Sequence, residues 1–202
     1  MKYSLHCSLR LQRILLVFTV TIALILSCCS EHAQISAKEA YAISWQEISV
    51  KYPDAYLIKL EAGSWSTESE IKEGKSVDWF FSYLSPDKKF LIDGYASVDG
   101  SQITRAYNYK NIDLQSSHSS LSDWKLDSTD AFHIAKRFAL RNGKGGYICT
   151  NMALTAPPHS DPQWKVVFYP PEAGNGRIEV YIVAINAITA EVIQSKEQVF
   201  VS

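Results

Sequence analysis

One succession of hydrophobic periods occurs twice along the 202 residues, and it constrains the fold more than any single motif. Ser36-Ala37-Lys38-Glu39 has the form of a capping box, a hydroxyl followed three residues later by a carboxylate. Apolar residues then fall at Ala37, Tyr41, Trp45, Ile48 and Tyr52, the stripe of a helix that Pro53 ends. From Asp54 the period becomes two. Tyr56, Ile58 and Leu60 alternate with Leu57, Lys59 and Glu61 in a strand that leads into a polar loop, Ser64 to Lys75. Strands are predicted at Val77–Leu84, Phe90–Ser97 and Ile103–Tyr109, separated by Pro86-Asp87-Lys88 and Asp99-Gly100 turns.

The pattern restarts after a polar stretch, Asn111 to Asp123. Asp127 or Ser128 caps a helix running to Arg141, and Asn142-Gly143 stops it. Strands follow at Tyr147–Leu154, Trp164–Tyr169, Arg177–Asn186 and Glu191–Val199. Ser36 matches Ser128 and Trp79 matches Trp164. A repeat this long reads as duplication rather than a solenoid. The expected fold class is α+β: two tandem units, each one helix packed on a curved antiparallel sheet of about four strands, residues 36–110 and 126–202 joined by a linker, 111–125.

The chain opens with a basic leader (Lys2, Arg10, Arg13) and an uncharged apolar run, Ile14 to Leu26. Its 13 residues suit a signal-peptide core and fall short of the roughly 20 that span a bilayer. Ile25-Leu26-Ser27-Cys28 resembles the lipobox of bacterial lipoproteins. That resemblance implies a diacylglycerol on the Cys28 sulfur, with Cys29 as the alternative register, a signal peptide at 1–27 and a tether at 28–35. It also implies a protein held by its N-terminal lipid on the non-cytoplasmic side of the cell envelope; without lipidation, the reading is a secreted protein. Loss of residues 1–27 leaves 17 basic against 21 acidic residues, a balance of -4, which speaks against a nucleic-acid partner.

In the second half, Asp130-Ala131 and Ala135, Trp164-Lys165-Val166, and the run from Ile182 to Ile193 resemble a PepSY domain, a cystatin-like architecture. Asn186 and Ala190 stand where the family pattern has Asp and Gly. The first half reads as a more diverged copy. The resemblance implies an accessory module without catalytic residues, a binding or regulatory part whose partner is a protease or peptide. The alternatives are a structural subunit of an envelope complex and an enzyme with its site in the sheet pocket.

No motif contradicts a non-enzymatic reading. The histidines form no HxH or HExxH spacing, no GxSxG elbow occurs, and Gly143-Lys144-Gly145-Gly146 follows a helix where a phosphate loop would precede one. No catalytic residue, metal ligand or cofactor is expected. Asp130 and His133 form an i,i+3 pair of ordinary helix type. Cys149 reads as a buried small hydrophobe, with a Cys29 pairing open. Trp45, Trp79 and Trp164 fall on core faces. Trp65 and Trp124 lie in polar surroundings and are the ligand-binding candidates, against covering the end of a small core.

Overall fold

The computed structural model describes residues 33–63, 71–87, 89–108, 120–121, 123–157, 159–171 and 177–201. The leader, Cys28, Cys29, Trp65, most of the 111–125 linker and the 172–176 turn lie outside the described residues.

Helix α1, Ala37–Lys51, begins at the capping box: Ser36 Oγ accepts from the Glu39 amide at 3.4 Å, and Glu39 Oε2 accepts from the Ser36 amide at 2.7 Å. Helix α2, Ser128–Arg141, starts at Asp127, whose Oδ1 accepts from the Ser128 amide at 2.7 Å. It stops where Gly143 takes φ +75, and the Lys144 amide reaches back to Ala139 O at 2.8 Å.

The strands are β1 (Tyr56–Gly63), β2 (Asp78–Ser85), β3 (Phe90–Ser97), β4 (Gly100–Asn108), β5 (Ile148–Thr155), β6 (Gln163–Tyr169), β7 (Arg177–Asn186) and β8 (Val192–Val201). They do not form two sheets. All eight join one antiparallel sheet in the order β4-β3-β2-β1-β5-β6-β7-β8. This overturns the expectation of two tandem units with a four-stranded sheet each. Had each meander stood alone, β1 and β5 would each have carried a row of unpaired backbone groups. They pair with one another instead, Lys59–Gly63 against Asn151–Thr155.

Both helices cover the same face of this sheet: α1 packs on β2, β3 and β4, and α2 on β6 and β7. One apolar cluster runs beneath both and includes Leu60, Trp79, Phe81, Ile92, Met152, Trp164, Val166 and Val183. Trp79 and Trp164 are fully buried, 6.1 Å apart at 73° in an edge-on contact. A buried tryptophan removes some 150–250 Å² from water, roughly 4–6 kcal/mol of transfer free energy, and the contact between the two rings, worth roughly 0.5–1.5 kcal/mol beyond that burial, joins the halves.

The alternation predicted for β1 is also corrected. A bulge between Leu57 and Lys59 leaves Ile58 without a facing residue. Leu57, Leu60 and Ala62 therefore reach the helix-covered core, while Ile58 packs with Leu84 in a separate cluster.

Candidate functional site

The sheet face away from α1 and α2, termed the distal face here, carries the side chains that the core does not use. The register places Phe80, Ser82, Asp93, Tyr95, Arg105 and Tyr107 on it in the first half. Three of them, Ser82, Asp93 and Tyr107, are hydrogen-bonded to one another. Asp93 accepts from Ser82 Oγ at 2.6 Å and from Tyr107 Oη at 2.9 Å. Burial, with the hydrogen bond to Asp93, pushes the Tyr107 phenol above its ordinary pKa. Tyr95 is half exposed and meets Phe80 edge-on at 5.4 Å.

At the seam, Lys59 pairs with Glu61, whose other oxygen accepts from Asn151 Nδ2 at 3.0 Å. Lys59 also lies over the Phe80 ring at 5.5 Å. An ion pair within β1 is thus tied across the join to β5 by the Asn151 hydrogen bond.

The second half is different. There β5 to β8 shape a groove of about 240 Å³ on the distal face. Thr155 and Pro157 form one wall, and Gln194 and Lys196 of β8 the other. Gln163 and Lys165 of β6 rise between them, and Ile182 and Ala184 of β7 form an apolar floor. Ile182 belongs to a small buried cluster with Val167, Tyr169 and Val180, which stiffens that floor. The groove is therefore a fixed concavity with amide, hydroxyl and ammonium groups around a small apolar base. Sequence reasoning missed it, because its residues come from four strands and only the pairing register brings them together.

Trp124 is half-buried. It meets Tyr41 at 6.4 Å and Trp164 at 6.1 Å, both edge-on, with the Lys38 ammonium 5.8 Å from its ring centroid. Its neighbours are thus the protein's own rings, on the helix side of the sheet and away from the groove. Trp65, Cys28 and Cys29 lie outside the described residues. His133 approaches Glu73 at 3.3 Å rather than Asp130. Cys149 is a free, buried thiol whose pKa burial pushes up to about 12. Lys144 bridges Glu197 at 2.9 Å and Glu179 at 3.3 Å on the helix side of β7 and β8, and the Glu197 carboxylate raises its pKa. Among the described residues, no three His, Cys, Asp or Glu side chains cluster as metal ligands would. No helix among them is long and apolar enough to cross a membrane.

No protein-family model matches the chain, so the PepSY resemblance gains no support from that comparison. No curated protein matches it either. Among solved structures, the fold is similar to a crystal structure from Clostridium difficile 630 whose assignment as a lipoprotein is itself provisional. The TM-score is 0.53 at 11% identity, covering 79% of this chain and 93% of that one. At that identity the likeness speaks for the fold.

Proposed function

We propose that this chain is an exported, lipid-anchored binding module of the cell envelope. It acts by contact with a protein or peptide, such as a protease or its substrate, rather than by catalysis. The anchor is a diacylglycerol on Cys28, or on Cys29 in the alternative register, and the contact surface is the distal face of the sheet. One juxtaposition carries the reading: a lipobox-like run, Ile25-Leu26-Ser27-Cys28, precedes a domain whose distal face holds a walled polar groove. The fold shared with a protein described as a lipoprotein supports the anchor.

Intact mass of the protein from a membrane fraction tests the anchor. The expected result is an N-terminal Cys28 carrying diacylglycerol, lost in Cys28→Ala. An unmodified chain in the soluble fraction would overturn the anchor and leave a secreted module. Crosslinking in intact cells tests the contact. A neighbour captured at the distal face in less than stoichiometric amount fits a regulator, whereas a constant one-to-one neighbour fits the structural-subunit alternative.

A further inference from the structure

The groove on β5–β8 has a charge pattern that the rest of the distal face lacks. In the first half and at the seam this face carries acids: Asp93, which accepts from Ser82 and Tyr107, Glu61, which pairs with Lys59 and accepts from Asn151, and Asp78 of β2. In the second half, the register places Asn151, Ala153 and Thr155 on the distal face from β5, and Gln163, Lys165, Val167 and Tyr169 from β6. From β7 it places Val180, Ile182, Ala184 and Asn186, and from β8 Gln194, Lys196 and Gln198. None of these is acidic, and two are lysines. The acid in the adjoining loop, Asp161, accepts from Asn186 Nδ2 at 2.9 Å. The strand-borne side chains of this groove thus include lysines and no acid, on a chain whose formal net charge is -1.

Register sets the spacing of the two ammoniums. Lys165 faces Ala184 and Lys196 faces Ile182, so the lysines flank β7 and are offset by two residues along it. Two strand spacings across and two residues along place their Cα atoms about 12 Å apart, with the groove between them. A ligand lying across β7 can meet both. The remaining polar groups narrow its chemistry. Gln163 and Gln194 each offer a donor and an acceptor, and Thr155 does the same. Peptide groups need both, whereas a phosphate only accepts. No arginine, the residue whose planar fork suits phosphate, lines the groove. The small floor of Ile182 and Ala184 leaves room for a backbone to lie close.

We propose that this groove recognises an acidic peptide segment, a carboxylate drawn to Lys196 and its backbone amides to Gln163 and Gln194. The proposal rests on the reading of the chain as a binding module and names what the module binds. Lys165 is also engaged within the chain, so Lys196, exposed on β8, is the group to test.

The test uses the full mature chain and two end-blocked fluorescent peptides of equal length, one with two glutamates at alternate positions and one with glutamines in their place. Fluorescence anisotropy is expected to show the glutamate peptide binding about tenfold more tightly, with the preference falling as salt rises. Lys196→Gln is expected to weaken the glutamate peptide about fivefold while leaving the glutamine peptide and the thermal midpoint unchanged. Equal binding of the two peptides, or no response to Lys196→Gln, overturns the proposal. So does a Lys196-dependent association with phosphatidylglycerol vesicles in place of the glutamate peptide.

A photo-crosslinking residue at position 194, used in intact cells, separates the two levels of the argument. A protein adduct there with no glutamate preference in vitro removes the acidic specificity and keeps the module. The absence of both an adduct and peptide binding removes the module reading as well.

Discussion

The two halves of the sheet solve the same packing problem with different residues. In the first, Trp79 Nε1 donates to Ile35 O at 2.9 Å; in the second, Trp164 Nε1 donates to Leu126 O at 2.8 Å. Each tryptophan pins the residue just before a helix cap, Ser36 or Asp127. The structural partner of Ser36 is therefore Asp127 rather than Ser128. Around that shared frame the halves diverge. The hairpin position Phe81–Gly94 corresponds to Val166–Val183, so one half concentrates in a single ring the volume that the other divides between two valines. The loops diverge too. The turn at Glu73-Gly74 reaches across to α2, where a Cβ on Gly74 would lie 2.4 Å from Ser128 O. The β5–β6 loop stays in its own half, with Pro162 O accepting from the Ala187 amide at 2.8 Å. Once two copies share one sheet, each is free to change where the other supplies the missing contact. On the distal face the first copy ties Asp93 to Ser82 and Tyr107, and the second keeps a groove.

The largest way to break the comparison is at Gly94. A Cβ there would lie 2.3 Å from Gln102 O and 2.4 Å from Phe81 Cζ. Gly94→Val is expected to cost about 3 kcal/mol or more in urea unfolding, from overpacking in a filled core. Phe81→Val combined with Gly94→Val transplants the second half's pair. It removes the ring clash but not the backbone clash, so the double variant should recover part of the loss, with a coupling free energy of about 1 kcal/mol or more. Strict additivity would show that the two positions do not share one volume.

The caps come next. Ser36 serves its own helix. Asp127 serves both, because its Oδ1 accepts from the Ser128 amide and, at 3.1 Å, from the Lys38 amide of α1. Ser128 Oγ also accepts from the Ala37 amide at 2.9 Å, in a buried contact. Asp127→Ala is expected to cost about 2 kcal/mol against about 1 kcal/mol for Ser36→Ala, both read from denaturant midpoints. Equal costs would mean that the caps act independently and that the halves are less interlocked than their hydrogen bonds suggest.

The elements were legible because their signals are local. Ser36 and Glu39 announce a helix start, Pro53 its end, and Asp99-Gly100 a turn, and each lies within a few residues of what it controls. The union of the two meanders was not, because the pairing of Lys59 with Thr155 joins residues 96 apart and leaves no periodic trace in either segment. The α1 face was read slightly wrong for a related reason. Ser44 is buried because its hydroxyl meets Tyr83 Oη at 2.9 Å, and that partner comes from another strand. The groove failed to show for the same cause: Thr155, Lys165 and Lys196 are unremarkable until register sets them on one face.

Alkaline conditions sharpen the comparison from the core side, since Tyr83 and Cys149 are buried in different halves. Burial raises the pKa of Cys149 in β5 up to about 12, and raises that of Tyr83 in β2 well above its usual value. Both folded-state values exceed those of the open chain. Their contribution is intact below the unfolded pKa values and is lost as pH rises, because the unfolded chain ionises first. The loss begins near pH 8.5 for the thiol, at up to about 1.4 kcal/mol per pH unit, and near pH 10 for the phenol. Cys149→Ala should flatten the first part of the alkaline limb and leave the second. A limb unchanged below pH 10 would show that the thiol is already ionisable in the fold. The native thiol should likewise resist alkylation until the protein unfolds.

The smallest effect concerns the β7–β8 turn and has the opposite sign. Asn186 Oδ1 accepts from the Ile188 and Thr189 amides at 2.8 and 3.0 Å, which sets the turn. The chain then passes through Ala190 at φ +66, in the left-handed region. There an alanine Cβ crowds its own backbone at a cost of roughly 1–2 kcal/mol, which glycine escapes. Glycine in turn gains freedom in the unfolded chain, worth roughly 0.4–1 kcal/mol against folding. The balance predicts that Ala190→Gly stabilises the protein by about 0.5–1 kcal/mol, with an unchanged denaturant slope. The corresponding first-half turn already places a glycine, Gly100, at φ +127 in open space. Gly100→Ala is thus the mirror experiment, and it should destabilise. If both substitutions lowered stability, the Ala190 conformation would have to be held by something other than the Asn186 turn, and the two hairpins would not be comparable at this position.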